Sequence, residues 1–226
     1  MITVNSLSKS YGSQKVLNDI SLTFKEGEVV GVIGENGAGK TTLFKCIAEL
    51  ESFTGTVEYS EGVLKNTIGF LPTSLYFFPR MTGYEYLQLM CNARDIKIDN
   101  LKEYNLFDLP LKKYAENYST GMKKKLAITG LLLQKNDVFI LDEPFNGVDI
   151  HSNLIIEEIL KQLKQRNKIV ILSSHIFSTL NSTCDYLYHL KEGSVSKSVK
   201  REDFGKVEEE MKGEGFGVKL DQLFKE

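Results

Sequence analysis

The chain has 226 residues, with 28 Lys and Arg against 30 Asp and Glu and a formal net charge of −2. That length suits one large domain, or a core with an inserted subdomain, and it buries enough surface to need neither a disulfide nor a metal staple. Hydrophobic content of 42% and charged content of 26% exclude a disordered or fibrous chain, and the near balance of charge excludes broad attraction to nucleic acid or acidic lipid.

The opening Met1-Ile-Thr-Val-Asn lacks a basic region followed by a long apolar stretch, so no secretory signal is expected. Ile2–Leu7 and Lys15–Phe24 alternate apolar and polar residues and predict two strands. After the Glu26-Gly27 turn, the run Val29–Ile33 suits a strand buried on both faces. A glycine-rich loop, Gly34–Gly39, leads into an amphipathic helix starting near Lys40 and carrying Leu43, Ile47 and Leu50. Thr56–Tyr59 and Thr67–Leu71 predict two more strands. From Met81 to about Leu133 the spacing of Tyr84, Leu87 and Met90 is helical, with Pro79 and Pro110 as punctuation, and predicts a helical insert.

Strand and helix then alternate: strand Val138–Leu141, helix from about Ser152 to Gln165, strand Ile169–Leu172, short helix Phe177–Thr183, strand Tyr186–Leu190. Such alternation predicts a mostly parallel sheet covered by helices. Beyond Ser194 the sequence reads as a highly charged tail (Lys200-Arg-Glu-Asp, Glu208-Glu-Glu) with a small apolar end at Leu220, Leu223 and Phe224. Cys46, Cys91 and Cys184 are widely spaced and odd in number, which fits a reducing compartment and neither a disulfide framework nor a zinc site. The longest nearly apolar runs, Val29–Gly34 and Leu126–Leu133, fall far short of the ~20 residues of a membrane helix, so the chain is expected to be soluble by itself.

Two motifs carry chemistry. Gly34-Glu35-Asn36-Gly37-Ala38-Gly39-Lys40-Thr41 fits G-x-x-x-x-G-K-[ST] between a strand and a helix. Glycines allow successive N–H groups to turn around an anion, and the helix that follows offers unsatisfied N–H groups to phosphates. Lys40 would supply a full charge for the β- and γ-phosphates, Thr41 a hydroxyl for Mg²⁺, and Thr42 a further hydroxyl. Farther along, Val138–Leu141 runs straight into Asp142-Glu143-Pro144. A buried strand thus delivers two carboxylates to the sheet edge from which the phosphate loop leaves. Asp142 would hold Mg²⁺, and Glu143 would orient or deprotonate a water.

With these motifs in place, the chain resembles the nucleotide-binding subunit of the ATP-binding cassette (ABC) family. Tyr118-Ser119-Thr120-Gly121-Met122 is similar to the family's signature, Phe145-Asn-Gly-Val-Asp149 to the loop after the acidic pair, and Ser174-His175 to its switch histidine. Tyr11 sits where an aromatic ring stacks on adenine. The resemblance covers about Ile2 to Ser194. It implies a P-loop NTPase α/β fold: a mostly parallel sheet with an antiparallel β subdomain and an inserted helical subdomain. Residues 1–80 and 134–195 would form the core, 81–133 the insert with the signature, and 196–226 the charged tail.

The same resemblance implies an ATPase that binds ATP and Mg²⁺ and dimerises around two ATP. Ser119 and Gly121 would meet the γ-phosphate of the ATP on the other subunit, His175 would act beside Glu143 as a catalytic γ-phosphate contact, and Asp149 would belong to the nucleotide site. A second ATP-binding subunit, identical or not, and a separate integral membrane permease would be its partners. Nucleic acid would not. The chain would lie in the cytoplasm, peripheral on the inner face of the cell membrane, with the apolar loop Tyr76-Phe77-Phe78-Pro79 near Thr73 as its docking surface. The compact length and the signature look most like bacterial export-type subunits. A non-transport member of the family, such as an iron–sulfur-cluster assembly ATPase, is the alternative that length permits.

Two departures from the family pattern stand out. Leu71-Pro72-Thr73 replaces the glutamine that normally links Mg²⁺ and water to the helical insert; a Thr hydroxyl can accept or ligate but is shorter and lacks the amide donor. ATP binding is therefore expected to survive, and hydrolysis and coupling are the properties this substitution touches. Thr120 stands for the first signature glycine and Met122 for the terminal glutamine. The basic run Lys123–Lys125 reads as a solvated helix face.

Overall fold

The computed structural model describes residues 1–212, so the apolar end at Leu220, Leu223 and Phe224 lies outside the described residues. In chain order the first half comprises β1 (Ile2–Tyr11), β2 (Gln14–Phe24), β3 (Val29–Ile33), α1 (Lys40–Ile47), β4 (Thr54–Tyr59), β5 (Ile68–Leu71) and α2 (Gly83–Asn92). The second half comprises α3 (Thr120–Leu133), β6 (Val138–Asp142), α4 (Ile150–Gln165), β7 (Ile169–Ser173), α5 (Phe177–Thr183), β8 (Tyr186–Lys191), β9 (Ser194–Lys200) and α6 (Phe204–Lys212).

Two sheets result. One is antiparallel, in the order β2-β1-β4; the other has six strands in the order β5-β6-β7-β3-β8-β9, parallel except for the final pair. All five residues of β3, β6 and β7 are buried, as their unbroken apolar runs require of central strands covered on both faces. Successive side chains feed opposite cores. Phe139, Leu141, Val170 and Leu172 pack towards α3 and α4. Val138, Ile140, Ile169 and Ile171 pack towards α1 and the antiparallel sheet, where Phe44, Ile47, Leu7 and Phe24 complete a second core.

The stretch 81–133 opens on α2 and closes on α3. Thr82 caps α2 with Glu85 in a reciprocal capping box, and Ser119 caps α3. The chain between them carries only short 3-10 turns at Leu101–Tyr104 and Ala115–Asn117.

Three expectations are corrected. Leu50 does not belong to α1, which ends at Ile47; Glu49 then takes a left-handed φ of 57° and turns the chain away, leaving Leu50 exposed. The sheet does not stop at Leu190. Glu192 and Gly193, both at positive φ, form a tight hairpin turn that folds Ser194–Lys200 back antiparallel on β8, and α6 buries Phe204 against Phe177, ring centroids 6.4 Å apart. The start of the charged tail is thus structured. Finally, the basic run is not wholly solvated: Lys124 is 1% exposed, and Lys125 is drawn into a salt bridge with Asp149 at 3.1 Å.

Candidate active site

β3 ends beneath the glycine loop, and the backbone there tolerates no other residue at two positions. Gly34 has a φ of 152°, and a Cβ on it would lie 2.2 Å from the Leu190 carbonyl oxygen. Gly39, at φ 104°, would place a Cβ 2.7 Å from Leu17. Gly39 is also the N-cap of α1, and no side chain caps that helix, so its first N–H groups face the loop. Lys40 folds back over the loop, its Nζ donating to the carbonyls of Gly34 (2.6 Å) and Glu35 (3.0 Å). Ala38 is buried beneath the same turn.

Parallel pairing of β6 with β7 sets Asp142 beside Ser173 at the carboxyl edge of the sheet. Asp142 is buried, and three hydroxyls donate to it: Oδ2 accepts from Thr41 and from Thr73, each at 2.6 Å, and Oδ1 accepts from Ser173 at 2.6 Å. Ser173 Oγ in turn accepts the Glu143 N–H at 2.9 Å, so one serine bridges both acids. Glu143 lies at a left-handed φ of 54°, and its Oε2 is 2.8 Å from His175 Nδ1. A cleft of about 270 Å³ collects Asn36, Gly37, Gly39, Lys40, Thr41, Thr42, Thr73, Asp142 and Glu143 with Val16 of β2. Loop, hydroxyls and acids therefore converge as the motifs predict. A ring of N–H groups, one mobile cation, hard oxygen donors and a carboxylate–imidazole pair can bind a polyphosphate and hold a water.

The remaining predicted residues lie elsewhere. Ser119 accepts from the Met122 N–H at 3.3 Å and starts α3. Gly121, the second residue of α3, is pressed against the loop after the acids; a Cβ there would sit 2.5 Å from the Gly147 carbonyl oxygen. Asp149 caps α4 by accepting from the Ser152 N–H (2.9 Å) and hydroxyl (2.8 Å) and from Lys125. The Ser152 donors, helped by Lys125, hold its carboxyl far below the usual carboxylate range. Tyr11, at the end of β1, is half exposed with Lys9 Nζ 4.7 Å above its ring, and it is Val16 that lines the cleft. Sequence reasoning missed Val16, Ser173 and Lys124. Ser173 carries a readable signal, a hydroxyl residue two before His175, but the apolar run that predicts its strand ends at Leu172, one residue short.

In comparisons with known proteins, the family model described as "ABC transporter" matches residues 17–146. The chain is 35% identical over 224 residues to the ABC transporter ATP-binding protein NatA of Bacillus subtilis (strain 168), covering 86% of this chain and 87% of that protein. A solved ATP-binding subunit of an ABC transporter superposes with a TM-score of 0.80 at 26% identity and full coverage of both chains. A dimeric structure of the bacterial ABC transporter cassette MJ0796 matches with a TM-score of 0.80 at 21% identity, covering 89% of this chain and 99% of that one.

Proposed function

Because the chain belongs to the ABC transporter family, as an ATP-binding and ATP-hydrolysing subunit, we propose that it powers transport, in the export direction, through a separate membrane-spanning permease. The glycine loop and the uncapped start of α1 would take the β- and γ-phosphates, and Lys40 would exchange its two carbonyl partners for phosphate oxygens. Asn36, Gly37, Ala38 and Thr42 complete that cradle. Tyr11 would stack on adenine with its second face backed by Lys9.

The donor set suits Mg²⁺, being all hard oxygens: Thr41 and Asp142 would hold it, with Thr73 in place of the family glutamine. When bound, the ion neutralises charge on the phosphates. The chain's own residues do the rest. Glu143 accepts a proton from water as the water oxygen bonds to the γ-phosphorus and the bond to the β-phosphate oxygen breaks, leaving ADP and phosphate. His175, at 2.8 Å, keeps that carboxylate aimed.

Ser119 and Gly121 start a helix whose N–H groups suit a γ-phosphate, and Asp149 follows the acids; we infer that they meet the ATP of a second subunit, as the dimeric cassette neighbour suggests. Residues 1–80 and 134–195 would act as the core and 81–133 as the insert. Beside Thr73, Tyr76 is 75% exposed and stacks edge-on with Phe78, while Phe77 anchors the loop on Tyr86. This apolar surface is the proposed permease dock, placing the chain on the inner face of the membrane; among the described residues no helix is long and apolar enough to cross one.

One observation carries the reading: Asp142 gathers hydroxyls from the phosphate loop, from Thr73 and from Ser173, and Glu143 leaves the same strand end paired with His175. Glu143→Gln tests it. ATP binding should persist, turnover should fall by roughly a hundredfold or more, and an ATP-dependent dimer should accumulate in size-exclusion chromatography. Undiminished turnover would show that Glu143 is not the base.

A further inference from the structure

Lys124 is a buried cation in the second turn of α3, and both of its hydrogen bonds go to backbone carbonyls: Glu143 and, at 2.8 Å, Asn146. Burial pulls its ammonium below the ordinary lysine range, with the carboxylates of Glu143 and Asp142 opposing. An apolar side chain would fill the same space without desolvating a charge, so the hydrogen bonds are what the lysine contributes.

Those two carbonyls bracket a turn. Asn146 N–H also reaches the Glu143 carbonyl, at 3.3 Å, so Lys124 clamps the first and last residues of one four-residue bend. The bend begins with Glu143 in the left-handed region, a conformation that a residue with a Cβ adopts only under constraint. The Ser173 hydroxyl holds the Glu143 N–H and Lys124 holds its carbonyl, so both backbone groups are fixed and the side chain is directed at His175. Lys124 is on the helix that Ser119 starts, so its ammonium ties α3 directly to both ends of this bend.

We propose that Lys124 is a positioning residue for hydrolysis, fixing the Glu143–Asn146 bend from the signature helix and thereby the aim of the Glu143 carboxylate. The inference rests on the reading of Glu143 as the base. It contributes to the attack geometry and not to holding nucleotide, so it separates turnover from affinity.

The test is Lys124→Met in the full chain, assayed for ATP turnover at concentrations that support dimers and for ADP affinity by titration calorimetry. We expect kcat to fall roughly tenfold or more, with KM and the ADP Kd within about twofold of wild type. Near-wild-type kcat would overturn the proposal, as would equal losses in kcat and ADP affinity, which mark a generally loosened site. If the methionine variant does not fold, Lys124→Gln keeps an N–H donor one bond shorter: kcat should be reduced with the ADP Kd unchanged, and wild-type kcat overturns the proposal. Glu143→Gln run alongside separates the two claims. If Glu143→Gln is inactive and Lys124→Met is not, the positioning role falls alone; if Glu143→Gln is fully active, the reading of the base falls with it.

Discussion

Gly121→Ala is the sharpest test of how the signature helix sits, because local propensity and tertiary contact predict opposite signs. In an isolated helix the change gains up to about 1 kcal/mol. Here the new Cβ would lie 2.5 Å from the Gly147 carbonyl oxygen and 3.5 Å from Val148 Cα, half an ångström inside the closest approach that real Cβ atoms show. The obstruction is backbone and cannot rotate away, so the cost belongs at the upper end of the ~1–3 kcal/mol of overpacking. Net destabilisation is then about 2 kcal/mol, which for a chain of this size lowers Tm by about 4–8 °C. Gly205→Ala is the matched control: it is also helical, and nothing lies within 4 Å of its added Cβ. Calorimetric melts of the two variants read the difference. A Tm for Gly121→Ala at or above wild type would mean that α3 does not press on the loop after the acids, and the account of why a glycine stands there would be wrong.

Two further outcomes follow from the site. Thr73→Gln should keep or raise ATP turnover, since it restores an amide where a hydroxyl now reaches Asp142 at 2.6 Å; loss of ATP binding would mean that Thr73 does not occupy the coupling position. Asp149 links stability to pH. Its folded carboxyl is depressed below the unfolded value of ~3.9, so its charge stabilises the fold fully above that pH and loses its effect as pH falls through the folded value. The stability gap between wild type and Asp149→Ala in urea titrations should therefore be constant from pH ~7 to ~5 and narrow on acidification below ~4. A gap that widens in acid would contradict the donors assigned to it.

Much of the site was legible because its motifs are contiguous. The glycine loop, Lys40 and Thr41 share one bend and one helix start, and Asp142 and Glu143 share one strand end, so spacing alone predicts their chemistry. Val16 was less legible: no motif marks it, yet β2 brings it to the cleft, while Tyr11 stands half exposed at the end of β1 with Lys9 over its ring. The hairpin at Glu192-Gly193 was overlooked because β9 is rich in Ser and Lys, as an edge strand with a solvated face is free to be.

By itself the sequence determined the strands and helices as far as Leu190, give or take their ends, and which segments carry phosphate chemistry, because apolar periodicity and turn residues act between chain neighbours. Only the tertiary structure decided what meets at Asp142. The order β5-β6-β7-β3 brings Thr73 (just beyond β5), Ser173 (at the end of β7) and Thr41 (in α1 after β3) to one carboxylate, and that register is set by side chains filling two cores rather than by any local preference. The same holds for Lys123–Lys125. A helix presents three lysines in sequence to three directions, and whether one of them meets water or a pair of carbonyls depends on the strand end packed beside it.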